Sequence, residues 1–194
     1  AMGEGDDGIK DWLKGAGLES NRRVAQTLKV DNGWDKAVET VLGDYLQAVC
    51  VADITPVTET IASLRSGVVT VLREHSKDDT SPNIENTLAE KVTGAPAAIK
   101  EQLARVRFAD SLADALAVRE RLNGDESVIT AEGVWLGRNW LRVARDKDGK
   151  AGVLAREHEM RRLKSEMREM QARFESARKL LLDGRIRLTQ LEER

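Results

Sequence analysis

Cysteine is almost absent from this chain. Cys50, inside AVCVA, is the only one, so no internal disulfide can form and a reducing compartment is expected. Structural zinc usually takes four Cys or His ligands, and Cys50, His75 and His158 are too few and too scattered for a hook or finger. No metal and no cofactor are expected. Cys50 itself reads as a small buried hydrophobe. Aromatic residues are only 4% of the chain, which leaves few large anchors for a core. No apolar run approaches the roughly 20 residues of a membrane span, so no membrane partner is expected. The opening AMGEGDDG lacks a signal-peptide pattern and reads as a cloning scar on an excised fragment.

The motifs of common chemistry are missing too. There is no G-x-x-x-x-G-K-[ST] phosphate loop, and GAGLES lacks the last glycine and the preceding strand of a dinucleotide fingerprint. No nucleophile elbow occurs. His75-Ser76 and the paired Asp78 and Asp79 lie in a polar stretch and read as solvated. No catalytic residue is assigned, and an enzyme acting on small molecules is the least favoured reading.

What is present is charge. Charged residues make up 33% of the 194, yet the net charge is only −2. A domain basic all over is thereby excluded, and nucleic-acid binding would need a local patch. Such a patch exists in RNWLRVARDKDGK, with Arg138, Arg142, Arg145, Lys147 and Lys150, followed by Arg156, Arg161, Arg162 and Lys164. Glu157, Glu159 and Glu166 intersperse it. It reads either as a solvated helix face or as a set of phosphate contacts.

The C-terminal segment has a clear period. Met160, Met167, Phe174, Leu181 and Leu188 fall at one heptad position, and Leu163, Met170, Ala177 and Leu191 at the other, with Gly184 interrupting. This a/d seam predicts a coiled-coil helix about 60 Å long. Nothing upstream supplies a partner, because IKDWLKGAGL allows only a short amphipathic turn or two. The partner is either another chain or a helix preceding residue 1.

The body between residues 21 and 152 repeats one order of elements. NGWDKAVETVLGDYL predicts a helix, AVCVA a strand, DITPVTETIASLRSG a helix capped by Thr55 and Pro56 and ended by Gly67, and VVTVL a strand. AAIKEQLARV, RVRFA, DSLADALAVRERLNG and SVIT follow in the same order. LQAVCVAD and LARVRFAD share Leu, Val, Ala and Asp in register, which points to an internal duplication. Asp53 and Asp110 are then equivalent helix-capping residues. EHSKDDTSPNIENT between the halves reads as a surface linker.

GWDKAVETVLGDYLQAVCVAD, SLRSGVVTVL, SLADALAVRERL and SVITAEG, in this order, resemble the hinge domain of bacterial SMC proteins, the chromosome-organising ATPases. GVLAREHEMRRLKSEM resembles the return into their long coiled coil. The similarity spans residues 18–165. It implies a mixed α/β fold (α+β) of two tandem pseudo-repeated subdomains with a projecting coiled-coil helix. The expected division is a scar and incoming segment (1–20), hinge subdomain I (21–75), a linker (76–94), hinge subdomain II (95–152) and the coil (153–194). The resemblance further implies homodimerisation, a coil partner upstream in the full-length chain, ATPase heads outside this fragment, DNA contact near the hinge–coil junction, and a cytoplasmic, nucleoid-associated role in chromosome condensation and segregation. A DNA-binding module with weak or no dimerisation is the alternative.

One departure concerns the expected interface. The family carries a glycine-rich run after its equivalent of VITAEG, whereas this chain reads VWLGRNWLRV, keeping only Gly133 and Gly137. Either the interface packs differently here or its contacts are weaker. Trp135, Leu136, Gly137, Trp140, Leu141 and Val143 are the candidate dimer contacts, with the two tryptophans as anchors. The competing reading is that both tryptophans complete a small core. By itself the stretch predicts a hairpin around Gly137-Arg138-Asn139.

Overall fold

The computed structural model describes residues 4–74, 85–143 and 152–192. The chain divides into two units, residues 1–154 and residues 155–194.

The first unit contains the predicted duplication. In its first half, α3 (Asp35–Leu42) leads to β2 (Val49–Val51), then to α4 (Thr55–Thr58) and β3 (Val71–Arg73). In its second half, α5 (Ala97–Ala104) leads to β5 (Val106–Ala109), α6 (Leu112–Arg119) and β6 (Ser127–Thr130). Each half therefore forms one parallel strand pair, with Val49 opposite Val71 and Val106 opposite Ser127. Even the inner edges match. Arg23 bridges Val49 of β2, and Thr87 bridges Arg107 of β5, both antiparallel. The second half adds an antiparallel hairpin, β7 (Val134–Gly137) and β8 (Leu141–Val143), on the far side of β6.

The halves are tied together rather than merely joined. β1 (Lys29–Val30) of the first half pairs antiparallel with β4 (Val92–Thr93) of the second. The largest core cluster takes Val38, Leu42, Leu46 and Cys50 from one half and Leu88, Leu103, Val106 and Ile129 from the other. Each fully buried leucine there contributes about 1.5–3 kcal/mol. The exposed Arg22–Glu74 pair, at 3.1 Å, contributes at most about 1 kcal/mol. Burial, not ion pairing, therefore holds the unit. Cys50 lies in this core as a buried hydrophobe, and desolvation, its largest influence, pushes the thiol's pKa up.

Alternation along the strands sends the other side chains outward. Val49 and Val51 face a second cluster with Val57, covered by Trp12, Leu13 and Leu18. Val128 and Leu136 face a third, covered by Ala115 of α6. Trp12 and Leu13 lie on α1 (Glu4–Gly15), three turns of helix where only a turn or two was expected. The reason lies across the sheet. The helix predicted over 55–66 breaks after α4 into a single 3₁₀ turn at Ile61–Ser63. Thr58, Thr60 and Ser63 hydroxyls donate to the carbonyls of Thr55, Val57 and Thr60, competing with helical N–H groups for those acceptors. So short a crossover covers little, and α1 supplies the rest of the lid, its Trp12 Nε1 donating to the Thr60 carbonyl at 2.9 Å.

Several expectations need correction. Residues 75–84, including His75, Ser76, Asp78, Asp79 and Pro82, lie outside the described residues. Within the rest of the expected linker, Leu88, Ala89 and Val92 are buried and Thr87 is paired to β5, while Glu85, Asn86, Glu90, Thr93 and Gly94 are exposed. β3 begins at Val71, and Val68, expected in a strand, is 87% exposed. Asp53 does serve its turn, accepting the Thr55 N–H at 3.1 Å, which, with Arg73, holds its carboxyl below the usual range. Asp110 does not cap α6. Ser111 does, accepting the Asp114 N–H at 3.1 Å.

The second unit is the bulk of α7 (Val153–Glu192), one continuous helix of 40 residues. Gly184 leaves it unbroken. Met160, Leu163, Met167, Met170, Phe174 and Leu181 of the seam are all exposed along this chain. The side chains of Leu188 and Leu191 lie outside those described.

The close approach beside β1 and β4 is testable. Gly94 has φ +74°, and a Cβ there would collide with the Thr27 carbonyl oxygen. Gly94→Ala is expected to cost about 2–4 kcal/mol, read as a lower midpoint in urea with an unchanged slope.

Candidate functional site

The β7–β8 hairpin is an addition to the repeat: among the described residues, no further strand extends β3. Its turn is closed by the Gly137 N–H donating to the Trp140 carbonyl at 3.0 Å. Gly133, at φ +80°, makes the preceding turn, where a Cβ would lie 2.9 Å from Thr40 Oγ1 of α3. Only glycine lets the chain pass this close to the helix.

The two tryptophans are in contact but differ in role. Trp135 lies opposite Ile129 and packs against the main core, with Nε1 donating to Ser127 Oγ at 2.9 Å. Trp140 stands edge-on to it, ring centroids 5.0 Å apart at 89°. Its indole covers Gly137, where a Cβ would collide with the ring. The aromatic thus fills the place a side chain at 137 would have taken. Trp140 is nonetheless 47% exposed. Of the six expected contact residues, Leu136 is spent inside this chain, opposite Leu141 and packed with Val128. Gly137 is buried by the Trp140 ring, and Trp135 is half-buried. Trp140, Leu141 and Val143 remain exposed.

β8 is the outer strand of its sheet, in the order β5-β6-β7-β8, and among the described residues no strand pairs with its other side. Its three residues are all exposed. Leu141 and Val143 lie opposite Leu136 and Val134 and so point to the face that α6 covers, but beyond the helix. Among the described residues, no strand pairs with the outer side of β3 either, the matching edge of the first half. Val68 and Ile61 are exposed in the segments leading to it, and Leu112 and Leu116 on α6. Sequence reasoning missed these four. Leu112 and Leu116 are spaced i, i+4, which is a helix-face signal, but the pattern alone does not distinguish core from surface.

The basic residues fall in three places. Arg138 and Arg142 belong to the hairpin, and Arg119 Nε donates to the Arg138 carbonyl at 3.1 Å. Arg145, Lys147 and Lys150 lie outside the described residues. Arg156, Arg161 and Arg162 belong to α7, where Arg162 pairs with Glu159 at 2.9 Å and with Glu166 at 3.5 Å. The helix thus supplies that guanidinium with its own counter-charges. Among the described residues no group of three or more His, Cys, Asp or Glu is placed to hold a metal ion, and no helix is long and apolar enough to cross a membrane.

Comparison with known proteins agrees with this architecture. The chain is 35% identical over 193 residues to the chromosome partition protein Smc of Coxiella burnetii, covering 99% of this chain and 16% of that protein. It therefore spans about one-sixth of the length of that relative. The fold is similar to the crystal structure of an asymmetric dimer of the Geobacillus stearothermophilus SMC hinge domain, with a TM-score of 0.60 and 21% identity over 84% of this chain and 74% of that one. It is also similar to the Pyrococcus furiosus Smc hinge domain with an extended coiled coil, with a TM-score of 0.51 and 16% identity over 97% of this chain and 78% of that one. The model of the SMC proteins' flexible hinge domain matches residues 19–119, more than half of the sequence, and the chain belongs to that family.

Proposed function

We propose that this domain is a homodimerisation hinge that joins two coiled-coil arms, and that it works by contact rather than by chemistry. The observation that carries this reading is a pair of sheet edges, β8 and β3, with no partner strand among the described residues and with exposed apolar residues at or beside each. A free edge invites another strand. If β8 of one copy pairs with β3 of the other, the same contact recurs by two-fold symmetry and both edges close. The description of the Geobacillus hinge as a dimer supports self-association.

Topology favours one direction for that pairing. Right-handed crossovers place α6 on one face of β5–β6, and α4 on one face of β2–β3. An antiparallel β8–β3 junction puts both crossover layers on the same face of the joined sheet. Leu141 and Val143 then sit between α6 and the partner's first-half layer and are covered. A parallel junction would leave them bare.

In the longer protein, such a hinge would hold two arms with their distant ATPase heads so that DNA can be enclosed. That suits a cytoplasmic, nucleoid-associated role in chromosome condensation and segregation. The a/d seam of α7 would pair with a helix upstream in the same chain. A second reading, DNA contact by the hairpin, is favoured by the exposed Arg138, Trp140 and Arg142, which alternate along one short segment, since cations and a stacking aromatic together suit a nucleic-acid strand.

Three measurements test these readings. Equilibrium sedimentation at tens of micromolar should give a dimer, and Leu141→Asp with Val143→Asp a folded monomer; a monomeric unsubstituted chain would reject the dimer. Trp140→Ala should weaken dimerisation at least tenfold with little change in thermal midpoint, whereas Trp135→Ala should cost about 2–4 kcal/mol of stability. Replacing Arg138 and Arg142 by Ala should reduce the slope of log affinity for DNA against log salt by about 2, without changing oligomeric state. Absence of DNA binding at low salt would remove the second reading.

A further inference from the structure

We propose that Glu39 is a capping clamp for the long helix, a carboxylate on α3 that holds the Gly152 and Leu154 N–H groups where α7 starts. The helix needs a cap from elsewhere. Its first four residues leave backbone N–H groups without helical acceptors. The residues before it, Lys150, Ala151 and Gly152, offer no Ser, Thr, Asp or Asn side chain to accept them. No acidic residue lies in the first turn, and Arg156 places a positive charge near the positive end of the helix dipole. Local sequence therefore argues against a helix starting here.

Glu39 reverses that balance from 113 positions away. Its Oε2 accepts the Gly152 N–H at 2.8 Å, and its Oε1 accepts the Leu154 N–H at 2.7 Å. One carboxylate thus takes two capping donors, two positions apart and one per oxygen, and brings a negative charge to the helix start. Both donors belong to the 1–154 unit. Leu154 is fully buried in the main core, with Val153 packed against it, so the clamp and an apolar anchor act on adjacent residues. Gly152, at φ +79°, turns the chain into position.

Glu39 is itself well braced. It lies on α3, whose Ala37, Val38, Val41 and Leu42 are buried. Its own carbonyl accepts the Gly43 N–H that closes the helix. The neighbouring Thr40 meets the Gly133 turn that starts the β7–β8 hairpin. The helix start and the hairpin are therefore referred to the same short helix. Releasing the carboxylate should fray the root of α7 while the body remains folded, which makes the root a local two-state element. This inference does not rest on dimerisation.

Amide hydrogen exchange on the whole chain tests it. In Glu39→Ala, exchange at the Leu154 amide and at the next-turn amides of Glu157 and His158 should accelerate about tenfold, the usual weight of a cap, while the amides of β5 and β6 keep their rates. Glu39→Gln, which retains an oxygen for one donor but lacks the charge, should fall between. Unchanged exchange at the helix root would overturn the proposal. So would an equal acceleration throughout the body, which would make Glu39 only a stabiliser of α3. Should Glu39→Ala not fold, the Gln variant gives the same comparison. Sedimentation of the variants separates this result from the hinge reading, because the oligomeric state should not change.

Discussion

Val30 and Val92 face each other across the two-residue pairing of β1 with β4, and the arrangement of the first unit depends on what that pairing joins. Each half is a single parallel strand pair with a few helical turns, too small to bury a sufficient apolar face alone. Sharing one core solves this. Leu28, Leu42 and Leu46 of one half and Leu88, Ile99 and Leu103 of the other are all buried in the same cluster. Gly94 allows the backbones beside this pairing to approach more closely than any side chain would permit.

The shared core also determines which surfaces stay open. Inner sheet faces are committed to it, and inner edges are occupied by Arg23 and Thr87. Outer faces are covered by α1 with α4 and by α6. Among the described residues, what remains are the outer edges, β3 and β8. That these edges stay clear of the core thus follows from where the core lies. The hairpin extends one of these edges and brings Trp140 with it. At that edge the chain lays the Trp140 indole over Gly137.

Much of the fold was legible in the residues. Helical spacing gave α3 and α7, β-branched runs gave β2 and β6, and the shared letters of LQAVCVAD and LARVRFAD matched two strands that occupy equivalent places. The failures have physical causes. The 55–66 helix tightened into 3₁₀ turns, in which the Val57 and Thr60 carbonyls accept both the N–H and the hydroxyl of the residue three positions on. α1 was underrated because its burial depends on that distant break. Leu88 and Val92 looked like the end of a linker because two-residue strands and single turns carry no period. In the hairpin, strand alternation is visible, but which face of β7 meets a core is not. Leu136 and Trp135 therefore stood beside Leu141 and Trp140 as equals, and only packing separated them.

Local pattern by itself determined the periodic elements, the duplication, the hairpin and the absence of familiar catalytic motifs, because these depend on neighbours a few residues apart. Tertiary structure alone decided the common core, the two open edges, the different roles of two adjacent tryptophans and the capping of α7 by Glu39. Each of these joins groups distant in the chain, such as Glu39 with Leu154, and no local pattern records where the folded backbone will bring them together.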